Sequence, residues 1–174
     1  GKALYPTCKD VYMNDPELGH YVVVVGGGIT GLETAIHLVQ KGHKVTLMTR
    51  QKEVGHDNDI PMHNIKMAFI TQGKDGKYYE SSAWSIYNEE TLNFITEATT
   101  KAVKDNAVTY VDAAGAEHTL KADSVVICGG SKKLDDEALA YAGTARKLYV
   151  IGDANGAGNI QKCNRQAFAT VMRI

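Results

Sequence analysis

The segment that most constrains the fold is YVVVVGGGITGLETAIHLVQKGHKVTLMTR, residues 21–50. It opens with a run of β-branched residues without alternation, which is typical of a strand covered on both faces in a parallel sheet. After the glycines, apolar residues recur at helical spacing at Leu32, Ala35, Ile36 and Val39. The run KVTLMT then predicts a second strand. The segment therefore predicts a β-α-β unit of about 30 residues with a right-handed crossover.

Three glycines of this segment, Gly26, Gly28 and Gly31, form the pattern G-x-G-x-x-G. In that pattern the first glycine permits a tight turn, the second lets a pyrophosphate approach the backbone, and the third lets the helix pack closely on the strand. A helix that begins near Ile29 would point its first N–H groups and the positive end of its dipole at bound phosphates. We therefore predict a dinucleotide-binding site, and a purely structural glycine turn is the alternative.

The second strand ends in Thr49 and Arg50, where NAD-selective folds carry a carboxylate about 20 residues past the glycines. Arg50 lies 19 residues after Gly31 (50 − 31), and the next acidic residue, Glu53, comes three residues later. A carboxylate here would repel the 2′-phosphate of NADPH, whereas the planar guanidinium of arginine suits phosphate oxygens. The sequence therefore predicts a preference for NADPH over NADH, and a solvated strand-end arginine is the alternative.

The remainder of the chain is less regular. Residues 61–73 are predicted to be partly helical, with Pro61 at the start. Four short β-prone pieces separated by turn residues predict an antiparallel meander, and these pieces are TLNFIT, TTKAV, AVTYVD and EHTLK. A buried strand in DSVVICGG, a short helix in LDDEALAYAG and a last strand in KLYVIGD follow. A helix from Asn159 to Ile174 closes the chain.

These elements predict an α/β fold of the Rossmann-like, nucleotide-binding type in three layers, in which a parallel sheet has helices on one side and a small antiparallel β-meander on the other. Residues 1–19 show no sustained period and are interpreted as a connecting arm. Residues 20–130 form the predicted nucleotide-binding domain, and residues 131–174 form a C-terminal segment.

Composition narrows the classes of partner and compartment. A formal net charge of -1 and a pI near 6.6 give no electrostatic reason to expect nucleic acid or an anionic membrane as a partner. No signal peptide opens the chain, and no apolar run approaches the roughly 18 residues of a membrane span. Cys8, Cys128 and Cys163 lie far apart without a C-x-x-C pattern, so a reduced, cytoplasmic setting is predicted.

Several other residues are assigned no functional role. One loop gathers two histidines and two aspartates whose spacing matches no known metal-site pattern, so no metal is predicted there; they are His56, Asp57, Asp59 and His63. Trp84 and the tyrosines around it are expected to pack a loop rather than stack on a base. Cys128, on an apolar strand, is expected to be an inert core residue, and no redox role is predicted for Cys163.

Three segments, in this order, resemble the NAD(P)H-binding domain of FAD-dependent pyridine-nucleotide oxidoreductases. They are VVVVGGGITGLETAIHLVQKGHKVTLMTR, ADSVVICGG and LYVIGDANGAGNIQKCNRQAFATVMRI. The resemblance is closest to the multidomain old-yellow-enzyme-like reductases, the group that contains 2,4-dienoyl-CoA reductase, enoate reductases and trimethylamine dehydrogenase. It covers nearly all of residues 20–174.

The motif and the resemblance together imply a set of cofactor-binding residues. For NADP(H) or NAD(H) these are Gly26, Gly27, Gly28, Ile29, Thr30, Gly31, Glu33, Thr49, Arg50, Lys52, Gly129 and Gly130. For FAD, which the parent protein would bind, they are Gly152, Asp153, Asn159 and Ile160. The resemblance implies that Asp153 bonds a hydroxyl of the ribityl chain and that the helix start near Asn159 faces the flavin pyrophosphate.

Some of these assignments have alternatives. Glu33 matches a glutamate that related reductases hold near the nicotinamide and flavin, and an ordinary helix-surface glutamate is the alternative. Thr30 is expected to cap the helix or to aid phosphate binding. The segment LMTRQKEVGH is similar to the NADP-reading loop of glutathione-reductase-type enzymes, where a second arginine follows six residues after the first. That position is His56 here, and Lys52 is the substitute cation.

In the family that the chain resembles, the nucleotide domain is inserted into an FAD-binding domain, and a barrel carries FMN and the substrate. The earlier FAD-binding glycine loop and the barrel are not present in residues 1–174. The resemblance therefore implies an excised part of a longer protein, whose remaining FAD and barrel domains are its partners. We expect NAD(P)H binding without turnover, and no catalytic residue is assigned. Two alternatives stay open: a structural module that holds ADP or NAD, and part of a disulfide-reductase-like flavoenzyme.

Overall fold

The structure is a computed structural model that describes residues 5–55, 90–130 and 133–174. It divides into two compact units, Gly1–Gly129 and Gly130–Ile174. The predicted partial helix over 61–73, the histidine and aspartate loop and Trp84 with its neighbouring tyrosines lie outside the described residues.

The first unit contains two helices and seven strands among its described residues. They are α1 (Cys8–Asn14), β1 (Tyr21–Val25), α2 (Ile29–Gln40), β2 (Lys44–Met48), β3 (Leu92–Ile95), β4 (Thr99–Lys104), β5 (Ala107–Val111), β6 (Glu117–Lys121) and β7 (Ser124–Ile127). The second unit contains α3 (Asp135–Leu139), a short 3-10 helix (Gly152–Asn155) and α4 (Ile160–Val171).

A four-stranded parallel sheet in the order β3-β2-β1-β7 forms the middle layer. The central strand β1 pairs with β2 through Val22 and Val45, and with β7 through Val22 and Ser124. The three valines Val22, Val23 and Val24 have no exposed surface at all. The run of β-branched residues is therefore a strand buried on both faces, as predicted.

The two faces of this sheet carry separate hydrophobic clusters. Val22 and Val24 pack with Leu32 and Leu38 of α2 on one face. Val23 packs on the opposite face with residues of the following elements, including Val108 of β5. Burial of one valine contributes about 1.5–3 kcal/mol, so both layers stabilise the sheet substantially. The predicted three-layer arrangement of helices, parallel sheet and antiparallel strands is confirmed.

The antiparallel layer is smaller than predicted. It contains three strands in the order β4-β5-β6. TLNFIT, the first of the four predicted pieces, is not part of this meander. It forms β3, which pairs in parallel with β2 through Leu92 and Val45. Leu92 and Phe94 of β3 pack in the cluster on the α2 face. Burial of these side chains stabilises β3 as an edge strand of the parallel sheet. Alternation and turn residues alone do not distinguish these two sheets.

The segment interpreted as a connecting arm contains the helix α1, which was not predicted. Thr7 caps it: the Asp10 N–H donates to Thr7 Oγ1 at 3.3 Å, and the Thr7 N–H donates to the Asp10 carboxylate at 2.8 Å. The sequence signal for this start is the T-x-x-D capping box. Val11 on α1 is buried with the residues of α2, and Thr7 forms a parallel bridge with Ile127. The arm is thus attached to the edge of the parallel sheet.

The second unit confirms the two predicted helices but not the predicted strand in KLYVIGD. Residues 147–151 form no strand, and no strand exists among the described residues of this unit. Leu148, Tyr149 and Ile151 are each 42% exposed. A β-prone sequence becomes a strand only where a neighbouring strand pairs with its backbone, and none of the strands in the described ranges pairs with this segment. The closing helix begins where predicted, because Asn159 Oδ1 accepts the Lys162 N–H at 2.9 Å.

Candidate nucleotide-binding site

The predicted nucleotide-binding residues meet at the carboxyl edge of the parallel sheet. The turn of Gly26–Gly28 follows β1, Thr49 and Arg50 follow β2, and Gly129 follows β7, whereas the predicted Gly130 is the first residue of the second unit. The Gly26 N–H donates to the carbonyl of Met48, the last residue of β2, at 2.9 Å. The Cys128 N–H, directly after β7, donates to the carbonyl of Val25 at the end of β1 at 2.7 Å. Ligands of open α/β sheets bind at this edge.

Two of the glycines are required by the backbone geometry. Gly26 has φ +114°, and a Cβ on it would lie 2.1 Å from the carbonyl oxygen of Cys128. A Cβ on Gly31 would lie 1.8 Å from the carbonyl oxygen of Gly26. Any side chain at either position would collide with backbone atoms that have no freedom to move. The structure therefore gives Gly26 the geometry of a tight turn and Gly31 that of close helix packing.

Gly27, between Gly26 and Gly28, explains why Thr49 is buried directly after β2. A Cβ on Gly27 would lie 2.5 Å from Cβ of Thr49. Thr49 is only 4% exposed, and its hydroxyl oxygen accepts the N–H of Gln51 at 3.2 Å. Thr49 thus packs the glycine turn against β2, and Arg50 is the first exposed residue after that strand.

The helix α2 begins directly after the turn. Its N-cap is Gly28, which is extended, and no side chain in the described chain caps it. The first turn has no acidic residue, so the positive end of the helix dipole is not neutralised there. Thr30 is exposed and is not the N-cap; its carbonyl oxygen accepts the hydroxyl of Thr34 at 2.7 Å.

The loop after β2 is anchored to the glycine turn by residues that the sequence analysis did not single out. The Gly55 N–H hydrogen-bonds the carbonyl of Gly27, and Val54 is 2% exposed in the cluster beneath α2. The side chains of Arg50 and Lys52 are exposed in this loop. No local pattern marks Val54 and Gly55, since both contacts are with residues that lie far away in the sequence.

Tyr12 of α1 packs on α2 close to the predicted site residue Glu33, and sequence reasoning missed it. Its ring lies 5.2 Å from the ring of His37 on α2. Burial raises the pKa of Tyr12 and the nearby Glu33 carboxylate raises it further, whereas a hydrogen bond with Thr34 lowers it. The side chain of Glu33 is exposed on α2, so α1 and α2 bring Tyr12 and Glu33 into electrostatic contact.

The predicted flavin-binding residues all lie in the second unit. Asp153 is exposed, and its Oδ1 accepts the N–H of Gly158 at 3.3 Å. Gly152 has φ +67°, and its N–H donates to Oε1 of Gln166 at 2.8 Å. Ile160, the first residue of α4, is 79% exposed. Asp153 is thereby held close to the start of α4.

Lys162 is a residue of this loop that the sequence analysis did not single out. Its Nζ donates to the carbonyl oxygens of Gly156 and Ala157 at 3.0 and 3.1 Å. It adds a cation beside the helix start, where an anion would be favoured.

Within residues 5–55, 90–130 and 133–174, no group of three or more histidine, cysteine, aspartate or glutamate side chains could hold a metal ion. None of the helices in these same ranges has the length and apolar character needed to cross a membrane.

Comparison with known proteins assigns the family. The family model for pyridine nucleotide-disulphide oxidoreductases matches residues 7–163. The chain is 26% identical over 171 residues to a metal reductase from Desulforamulus reducens, covering 91% of this chain and 25% of that protein. It is 26% identical over 171 residues to a cinnamate reductase from Clostridium sporogenes, covering 97% of this chain and 23% of that protein.

Solved structures share the fold. A 2-naphthoyl-CoA reductase complex superposes with a TM-score of 0.67 at 23% identity, over 99% of this chain and 24% of the other. Histamine dehydrogenase from Rhizobium sp. 4-9 superposes with a TM-score of 0.65 at 16% identity, over 98% of this chain and 26% of the other. The chain spans about a quarter of the length of these relatives. The extent of the family match shows that the chain belongs to the pyridine nucleotide-disulphide oxidoreductase family.

Proposed function

We propose that the unit Gly1–Gly129 binds a nicotinamide dinucleotide, with NADPH preferred over NADH, as the NAD(P)H-binding domain of an FAD-dependent oxidoreductase. In the parent protein, hydride would pass from NAD(P)H to FAD and on to an unsaturated substrate. The observation that carries this proposal is the turn at Gly26, which packs against Gly31 at the start of a helix whose N-cap is another glycine.

The backbone at this turn fits a diphosphate. Side chains at Gly26 and Gly31 are excluded by contacts of 2.1 and 1.8 Å to backbone oxygens, so the helix start lies as close to the strand end as the chain permits. With no acidic residue in the first turn of α2, the helix dipole favours an anion at this place. Backbone N–H groups would hold the pyrophosphate, and the carboxyl edge of the sheet would orient the two nucleosides.

The preference for NADPH rests on the charges of the loop after β2. Arg50 and Lys52 are exposed, whereas Thr49 is buried and places no carboxylate at the strand end. The loop backbone is tied to the glycine turn through Gly55, which keeps Arg50 next to the proposed diphosphate site. A charge-assisted bond from arginine to the 2′-phosphate would contribute about 1.5–3 kcal/mol, roughly a tenfold to hundredfold gain in affinity.

The second unit supports the flavin part of the proposal. FAD, when bound, would accept hydride from the nicotinamide and pass electrons onward. Asp153 is exposed and lies beside the start of α4, which fits a hydrogen bond to a flavin hydroxyl. Further parts of a parent protein would have to complete the site, in keeping with relatives about four times as long.

The exposed apolar face of α4 supports the proposal that a partner domain exists. Four large apolar side chains at the two ends of this helix share one face by helical spacing and are 68–79% exposed; they are Ile160, Phe168, Val171 and the C-cap residue Met172. An apolar stripe of this kind is normally covered by another element. We propose that the remainder of the parent's FAD domain covers it.

Calorimetric titration of the 174-residue chain with NADPH and with NADH tests the nucleotide proposal. The expected result is tighter binding of NADPH by roughly tenfold, which Arg50→Gln abolishes while leaving NADH affinity unchanged. Arg146→Gln is the matched control, because Arg146 is an exposed arginine of the second unit. Equal affinities of the unaltered chain for both nucleotides would contradict the proposed NADPH preference. Binding of neither nucleotide would contradict the proposed nucleotide site.

The flavin step is tested on the parent protein. Anaerobic addition of NADPH is expected to bleach the absorbance of its bound FAD. Nucleotide binding without bleaching would instead identify a structural module that holds the nucleotide without hydride transfer.

A further inference from the structure

Two cysteines lie beside each other at the junction of α1 and β7. The N–H of Ile127 donates to the carbonyl of Pro6 at 2.9 Å, and Thr7 forms a parallel bridge with Ile127. Cys8 and Cys128 are the next residues on the two segments. Cys8 is the first residue of α1 and Cys128 directly follows β7, so this bridge brings the two cysteines to the same junction.

The two thiols interact with each other. Both cysteines are partly buried and neither is in a disulfide. Burial, the charge of Cys8 and a hydrogen bond with the Cys8 side chain together raise the pKa of Cys128 to about 12. Cys163 belongs to the second unit, so the pairing in the first unit involves only Cys8 and Cys128.

We propose that Cys8 and Cys128 are an oxidisable dithiol, and that their reversible disulfide links the segment before α1 to the carboxyl end of β7. Cys128 packs against the core cluster as predicted, and the neighbouring Cys8 thiol supports a further role. The bond would close a ring across nearly the whole first unit, from residue 8 to residue 128. It would therefore restrict the unfolded chain strongly.

The reaction balances with a low-molecular-weight disulfide as oxidant. The Cys8 thiol loses a proton, its sulfur attacks one sulfur of glutathione disulfide, and one glutathione leaves as a thiolate that takes up a proton. Cys128 then loses its proton, and its sulfur attacks the Cys8 sulfur of the mixed disulfide. The second glutathione leaves as a thiolate that takes up a proton. Two protein thiols are oxidised by two electrons in total, and one small disulfide is reduced to two thiols. Cys8 attacks first, because the raised pKa of Cys128 leaves little of it as thiolate.

Cys128 contacts the glycine turn, so we expect the oxidation state of the dithiol to change nucleotide binding there, an expectation that rests on the proposed function. A Cβ on Gly26 would lie 2.1 Å from the Cys128 carbonyl oxygen, and a Cβ on Gly31 would lie 3.5 Å from the Cys128 Cβ. Bond formation draws the two β-carbons together, and any shift of Cys128 displaces the turn. We expect oxidation to weaken NADPH binding by about tenfold, within the usual range of coupling between sites.

Peptide mapping tests the dithiol without any variant. The three cysteines fall in three tryptic peptides, residues 3–9, 122–132 and 163–165. After treatment of the folded chain with glutathione disulfide, titratable thiols are expected to fall from three to one, and the first two peptides are expected to be joined by a bond that dithiothreitol cleaves. Three remaining thiols, or a joined peptide that contains Cys163, would overturn the proposal.

The coupling to the nucleotide site is tested by NADPH titration of the oxidised and reduced chain. The tenfold difference should vanish in Cys8→Ser and persist in Cys163→Ser, which keeps the pair intact. A joined peptide pair with equal affinities in both states would overturn the coupling. Binding of NADPH in neither state, with the peptides joined, would contradict the nucleotide proposal while supporting the dithiol.

Discussion

Gly31 shows how one residue sets the geometry of the site. Its missing side chain allows α2 to contact the carbonyl oxygen of Gly26, at a place where a Cβ would be 1.8 Å away. Neither partner can move, since Gly26 itself has φ +114° and is in contact with Cys128. The requirement is therefore for packing of helix on strand, and it holds whether or not a ligand is bound.

Gly31→Ala is predicted to destabilise the fold by about 1–3 kcal/mol or more, because the added methyl group must push α2 away from β1. Urea denaturation of the first unit measures the change. Gly129→Ala is the folding control, since a Cβ there meets only a side-chain atom of Ile127 at 3.6 Å. Equal losses of stability in both variants would show that the collision at Gly31 is relieved at little cost.

Asp112 gives a prediction for pH dependence. Its carboxylate accepts His118 Nε2 at 2.7 Å and the N–H groups of Ala114 and Ala116 at 2.9 Å each, in the connection between β5 and β6. The hydrogen bond from His118 and then those from the backbone lower the pKa of Asp112. A lowered pKa in the folded state means that the stabilisation is present above the unfolded pKa of about 3.9 and is lost as the pH falls through the folded value.

We therefore expect the Asp112 carboxyl carbon to titrate in NMR spectra below the midpoint of about 3.9 of an aspartate in an unfolded peptide. His118→Gln should move that midpoint upward, because the first cause of the shift is removed. A midpoint for Asp112 at the unfolded value of about 3.9 would contradict the hydrogen-bonded turn.

At the scale of elements, α1 is stabilised by its cap and by one buried residue. Thr7→Ala removes the side-chain half of the capping box and is predicted to lower the free energy of unfolding by about 1 kcal/mol. Thr96→Ala, at an exposed threonine between β3 and β4, is the control. Chemical denaturation of the two variants measures the difference, and an unchanged midpoint for Thr7→Ala would show that α1 does not depend on this cap.

The sequence predicts elements well where local pattern and tertiary contacts agree. The valine run of β1 is buried on both faces, and α2 begins at the residue expected from the glycines. The placement of β3 and the absence of the predicted strand in KLYVIGD depend instead on which strand edges are available for backbone pairing. A local sequence pattern carries no information about those edges. The same limit applies to the site: the glycine turn follows from the motif, whereas Val54, Tyr12 and Lys162 contribute through contacts that only the folded chain makes.

At the scale of the whole molecule, the two units differ in how much apolar surface they bury. In the first unit α2 and the sheet enclose residues such as Leu32 that have no exposed surface. In the second unit no residue of α4 is buried, and Phe168 is 70% exposed. This contrast supports a parent protein in which another domain covers α4.

Phe168→Gln is predicted to lower binding of an apolar dye to the chain while leaving its unfolding midpoint unchanged, because Phe168 is already exposed. In the parent protein the same change is expected to weaken retention of FAD, since it would replace a buried contact with an amide. Asn164→Gln, at an exposed polar position of the same helix, is the control. A lower midpoint in the isolated chain would mean that Phe168 is covered within this chain.

The central claim is that a nicotinamide dinucleotide binds at the glycine turn. Titration of the isotope-labelled chain with NADPH, followed through backbone amide shifts, tests it most directly. The account predicts saturable shifts that are largest for Gly26 to Gly31 and for Arg50, with little change in the strands β4 to β6. Saturable binding whose shifts avoid the glycine turn, or no shift at millimolar NADPH, would contradict it.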